Sequence, residues 1–160
     1  MAEASYNHNV TSFNLSGLLY NTILQSNCQA FINDMKVRVK AANLFTYPDL
    51  AVICGEPEFY QERTDTITNP VVLFEILSNS TKRHDMYDKL EQYRSLPNVQ
   101  NYVLIDQKRV LVRNYQRLEN GKWLVSLYSN LEDELDLPVV GAKLGLAQIY
   151  NRVRFKQKQV

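Results

Sequence analysis

Apolar residues recur along this chain with two periods, and the change from one to the other marks the elements. From about Ser12 to Ser26, Phe13, Leu18, Leu19, Ile23 and Leu24 return at helical spacing, which predicts a helix. Residues 1–11 are polar, show no apolar period and read as irregular. Cys28–Ile32 and Met35–Val39 read as two short strands around an Asn33-Asp34 turn, the second alternating Met35, Val37 and Val39 with Lys36, Arg38 and Lys40. Tyr47–Cys54 is the next predicted strand, and residues 55–70, with Gly55, Pro57 and Pro70, read as a long loop. Val71–Leu77 is apolar on both parities, the pattern of a strand buried on both faces. Thr81 is a candidate N-cap for a helix from about Lys82 to Leu96, which Pro97 closes.

The remainder is β-rich. Tyr102–Ile105, Val110–Tyr115 and Trp123–Tyr128 read as strands, the last two joined at an Asn120-Gly121 turn. Leu135–Val139 reads as a short edge and Gly145–Tyr150 as a short helix. At the end, Arg152, Arg154, Lys156 and Lys158 share one parity of a predicted strand, with Val153 and Phe155 on the other. No repeat or linker interrupts the chain, so residues 1–160 are expected to form a single α/β domain.

Composition narrows the function classes only slightly. The formal net charge of the 160 residues is +1, so bulk charge argues for neither nucleic-acid nor membrane binding. No apolar run reaches membrane-spanning length and no signal peptide opens the chain, so a cytoplasmic protein with no membrane partner is expected. The two cysteines, Cys28 and Cys54, lack metal-ligand spacing, and Cys54 reads as a small reduced core residue.

One residue departs from the pattern. Glu75 sits in the middle of the doubly buried strand, where an unpaired carboxylate would cost several kcal/mol. It must be protonated, paired, or ligating a metal. Period two puts Val71, Leu73, Glu75 and Leu77 on one face, and Asp49, Ala51 and Ile53 on one face of the preceding strand. If the two strands are neighbours, Asp49 and Glu75 converge, and a Mg²⁺ or Mn²⁺ ion would offset their repulsion. On the following helix, Lys89 flanks the apolar stripe of Met86, Leu90 and Tyr93. From there it reaches either the two acids or solvent, with Asp85 one turn before it as another partner.

Tyr47-Pro48-Asp49, Asn69-Pro70, Glu75-Ile76-Leu77-Ser78, Ser80-Thr81, Asp85, Lys89-Leu90, Tyr93 and Tyr102-Val103-Leu104-Ile105-Asp106 together resemble the Uma-two family. That family is grouped with the PD-(D/E)xK, restriction-endonuclease-like superfamily, and the likeness runs from about His8 to Phe155. It implies a mixed β-sheet flanked by helices (α/β, or α+β). It also implies a Mg²⁺- or Mn²⁺-dependent endonuclease that hydrolyses DNA phosphodiester bonds. Asp49 and Glu75 match the metal-binding acids. The motif's lysine position holds Leu77, and Lys89 matches a lysine that recurs on the family's helix. His8 matches a family histidine. The family's usual segment before that histidine implies a domain shortened at its N-terminus.

DNA contacts are expected of His8, Ser78, Arg152, Arg154 and Lys156, against the plainer roles of a solvated histidine, a turn hydroxyl and a solvated basic edge. A homodimer is expected, since cutting two strands is easier with two sites. The alternative function is a catalytically silent module on the same fold that binds nucleic acid or a protein partner, and the alternative for Glu75 is a structural pair with Lys89 or Lys82.

Overall fold

The structure, a computed structural model, describes residues 4–156. The first helix begins earlier than the apolar period does. α1 spans Tyr6–Ile23 because Ser5 caps it, its hydroxyl accepting from the His8 amide at 3.1 Å. Leu15, Leu19 and Ile23 form its buried stripe. The stretch expected to be irregular therefore supplies the first turn of α1, and His8 lies on it.

Twelve strands follow among the described residues: β1 (Cys28–Ile32), β2 (Lys36–Val39), β3 (Leu44–Thr46), β4 (Leu50–Cys54), β5 (Phe59–Tyr60), β6 (Arg63–Ile67), β7 (Val72–Leu77), β8 (Asn101–Asp106), β9 (Val112–Arg117), β10 (Trp123–Tyr128), β11 (Glu134–Leu137) and β12 (Ala142–Gly145). The main sheet has six strands in the order β1-β4-β7-β8-β9-β10, with β7 and β8 parallel and the other pairs antiparallel. A four-stranded sheet runs β3-β2-β6-β5, and β11 pairs with β12. A π-helical turn, His84–Asp88, leads into α2 (Lys89–Arg94), and α3 spans Leu146–Ile149.

Strand β7 divides the interior. Val72, Phe74 and Ile76 join a core with α1, β11, β12 and α3, whereas Leu73 and Leu77 join one with the small sheet and α2. This is the alternation expected from period two, and it shows why β7 reads as continuously apolar: each face has its own layer.

Three further expectations are corrected. Residues 55–70 are not a plain loop: they hold β5 and β6. Their short, half-exposed strands leave too little apolar alternation to read. β3 was likewise illegible at three residues. The basic C-terminal strand is absent. Arg152 turns the chain at φ 65°, and residues 153–156 are irregular, held to α1 by Asn7, whose amide donates to the Arg154 carbonyl at 2.8 Å; Lys158 lies outside the described residues. Finally, Cys54 is not a reduced core residue, for it is joined to Cys28. The two stand opposite each other in the β1–β4 register and form a disulfide. A separation of 26 residues hides that pairing from sequence spacing. No helix among the described residues is long and apolar enough to cross a membrane.

The disulfide closes a loop long enough for its chain-entropy effect to stabilise the fold by about 3 kcal/mol. Urea unfolding with and without a reductant is expected to differ by roughly that amount, and Cys28→Ser is expected to match the reduced protein. Alkylation of two free thiols in the native, unreduced protein would contradict it.

Candidate functional site

Continuing the β4–β7 register by one residue beyond Leu50↔Phe74 sets Asp49 opposite Glu75. Pro48 precedes β4 and cannot donate to a ladder, so the pairing stops there and leaves Asp49 at the strand end. One of its oxygens, Oδ2, accepts from the Ile76 amide at 2.7 Å, while Oδ1 lies 3.1 Å from His8 Nε2. The hydrogen bond to Asp49 raises the His8 pKa, against burial, which lowers it. The first turn of α1 is aimed at this point by the segment after β8. Ser5 hydrogen-bonds the Gln107 side chain, Asn7 donates to the Gln107 carbonyl at 3.0 Å, and Gln107 donates to the Leu77 carbonyl at 2.7 Å.

Glu75 is 3% exposed. Its Oε1 accepts from Lys89 Nζ at 2.7 Å, and the Tyr93 hydroxyl lies 3.2 Å away. That hydroxyl is also 3.0 Å from Thr46 Oγ1, so one phenolic hydrogen serves two acceptors by turns. Burial holds Tyr93 well above its ordinary pKa, which keeps it a donor. No hydrogen bond reaches Glu75 Oε2 among the described residues.

Lys89 arrives from the π-helical turn, where its amide donates to the His84 carbonyl five residues back. A widened turn of this kind is rare and often lies at a functional site. Lys89 Nζ is also 3.2 Å from Asp85 Oδ1, a buried oxygen with no aligned hydrogen bond. Burial would lower the Lys89 pKa, but its two carboxylate partners reverse the sign and raise it. For Glu75, burial is the largest influence, Lys89 pulls the other way, and the nearby Asp49 and Asp85 charges push upward again; its pKa is raised from 4.5 to about 8.

The structure thus brings together His8, Asp49, Glu75 and Lys89 from four separate segments. Leu77, at the motif's lysine position, is buried in the core with Leu73 and Tyr93. Both pairings read for Lys89 are made, one to Glu75 and one to Asp85. The alternative Lys82 partner goes elsewhere, 3.8 Å from Asp106. Ser78 is engaged within its own turn: it lies 2.8 Å from Thr81 Oγ1, and it accepts from the Thr81 amide at 3.2 Å. Arg152, Arg154 and Lys156 do not form a row. Arg154 instead lies over the Tyr6 ring at 4.6 Å, beside the turn that carries His8. Tyr93 and Thr46 are site residues that sequence reasoning missed. Tyr93 looked like part of an apolar stripe, and nothing in the sequence marks Thr46. No group of three or more His, Cys, Asp or Glu side chains among the described residues converges in the manner of a metal cage.

A family model described as "Uma2: Putative restriction endonuclease" matches residues 1–148. The chain is 37% identical over 126 residues to the Synechocystis sp. uncharacterized protein sll1609, covering 79% of this chain and 71% of that one. It is 30% identical over 155 residues to slr1290 of the same organism, covering 97% and 80%. A crystal structure described as "a putative nuclease belonging to DUF820 from Anabaena variabilis" shares the fold with a TM-score of 0.75 at 15% identity, covering 91% of this chain and 81% of that one.

The raised Glu75 carboxyl has a measurable consequence. A native pKa above the unfolded value contributes stability in full below pH 4.5, and that contribution is lost as pH rises through about 8. In urea unfolding without divalent ions, the stability of Glu75→Gln relative to wild type is expected to grow by a few kcal/mol between about pH 5 and about pH 9. A difference that stays flat with pH would contradict the buried, proton-holding carboxyl.

Proposed function

Because the chain belongs to the Uma2 family, we propose that it is a Mg²⁺-dependent endonuclease that hydrolyses DNA phosphodiester bonds. The observation that carries this reading is the Lys89 ammonium 2.7 Å from Glu75, with Asp49 set opposite Glu75 by continuing the β4–β7 register one residue. The donors suit a hard divalent ion, which takes one or two carboxylates and keeps the rest of its shell as water. Asp49 and Glu75 would hold it, Glu75 through the Oε2 that no side chain engages. The chemistry Mg²⁺ or Mn²⁺ supplies when bound is charge stabilisation at the phosphodiester and a lowered pKa for water.

The chain's own residues supply the rest. Lys89 orients the attacking water and stabilises negative charge developing at the phosphoryl oxygens, the role its position beside Glu75 supports. Tyr93 and Thr46 fix the Glu75 carboxyl, and His8 with the Ile76 amide fixes that of Asp49. Arg152 and Arg154 flank the His8 turn, the exposed Lys156 follows two residues on, and the three support a role in tracking a DNA backbone. Such a substrate is met in the cytoplasm, the location this reading carries.

Plasmid nicking with Mg²⁺ or Mn²⁺ tests the proposal. Asp49→Asn, Glu75→Gln and Lys89→Met are each expected to lose about a hundredfold or more in rate, and EDTA to abolish cleavage. Equal cleavage by all variants would overturn it. Absent cleavage with DNA binding retained would favour the silent module, to which Leu77 in the lysine's place points.

We also propose a homodimer. Phe13 and Tyr20, with Leu24 at the C-cap, are exposed along one face of α1, opposite its buried stripe, and the helix carries no Asp, Glu, Lys or Arg. An uncharged apolar face meets a second copy of itself without like-charge repulsion. Sedimentation is expected to give a dimer for wild type and a monomer for Phe13→Glu; a wild-type monomer at all concentrations would refute this.

A further inference from the structure

We infer that the outer face of the small sheet is a binding platform for unpaired DNA bases, set beside the candidate catalytic site. This rests on the DNA reading above and names the form of DNA that the site receives.

Alternation along the strands builds the platform. Val37 and Val39 point into the core, so Lys36 and Arg38 point out; Thr46 is buried towards Tyr93, so Phe45 points out, directly opposite Arg38 in the register. Tyr60 and Arg63 join them from the paired strands β5 and β6. The Arg38 guanidinium lies 4.9 Å from the Phe45 ring centre and 5.1 Å from that of Tyr60, and the two rings meet edge to face at 5.4 Å. Arg63 lies 5.9 Å from Phe45, and Lys36 lies 5.8 Å from Tyr47. Arg38 is fixed in place, donating to Asn43 Oδ1 at 2.6 Å and to the Leu44 carbonyl at 3.2 Å.

Rings that served packing alone would be covered. Phe45 is 40% and Tyr47 55% exposed, and of the cations here Lys36 and Arg63 pair with Asp65 while Arg38 carries its charge over the Phe45 and Tyr60 rings. Exposed rings interleaved with fixed cations are what single-stranded nucleic acid requires: a π-face for each base and positive charge along the backbone. Duplex DNA hides its base faces in the stack and would gain only the charges. The platform is also joined to the site. Thr46 contacts Tyr93, and Phe45 precedes Asp49 by four residues, an extended reach of about 14 Å, or roughly four nucleotides of B-form strand. A strand seated on Phe45 would therefore bring to Asp49 a phosphate within about four nucleotides of the seated base.

Fluorescence anisotropy in EDTA, where no cleavage occurs, tests this with a labelled single-stranded DNA, its duplex and an RNA of the same sequence. The single strand is expected to bind more tightly than the duplex. Phe45→Ala and Tyr47→Ala are each expected to weaken it about tenfold, with Phe45→Trp restoring affinity and unchanged thermal midpoints confirming the fold. Wild-type affinity in both alanine variants, tighter binding of the duplex, or tighter binding of the RNA would each overturn the platform. The nicking assay keeps the two proposals apart. Cleavage that depends on Asp49 but is indifferent to Phe45 and Tyr47 leaves the nuclease standing without the platform. Binding that needs Phe45 in a protein that never cleaves leaves the platform standing without the nuclease.

Discussion

A single carboxylate buried in the central sheet constrains much of what surrounds it. Glu75 cannot be left alone among apolar neighbours, and its partners come from every nearby layer: Lys89 and Tyr93 from above the sheet, and Thr46 behind Tyr93 from the small sheet. Each partner is itself buried or pinned, so the position of Glu75 is over-determined. The surplus of negative charge from Asp49 and Asp85 keeps the group electrostatically unsatisfied even so. Folding thus preserves a concentration of charge that simple packing would have removed, a common mark of a site organised for chemistry.

Much of this was legible in the sequence because it followed from strict periods. β7, with its doubly apolar run, and the face shared by Leu73, Glu75 and Leu77 came directly from alternation, as did the convergence of Asp49 on Glu75. Lys89 was legible only as a choice between two environments, because helical angle alone does not show how far a flank residue is drawn inward. What stayed hidden has physical reasons. Tyr93 presents an apolar body at a stripe position, and only its tip is polar. β3, β5 and β6 are too short for a period. The disulfide depends on strand register, which no spacing rule contains.

The same economy runs through the small sheet. Its inward residues complete a core layer, and its outward ones remain free to carry rings and cations. Thr46, at the end of β3, belongs to the site, while its neighbour Phe45 belongs to the surface. One residue of register therefore separates support of the buried Glu75 site from contact with solvent.

The anchoring of the first turn of α1 bears on the order in which the protein is made. His8 is aimed at Asp49 through Ser5 and Asn7, whose partners lie 102 and 147 residues further along the chain, at Gln107 and Arg154. A growing chain on the ribosome has Asp49, Glu75 and Lys89 in hand long before those partners emerge. The histidine, although synthesised before all three, is locked into place only after them. The assembled constellation thereby depends on the segments that hold Gln107 and Arg154, and products lacking them would carry the acids without the contact that orders them.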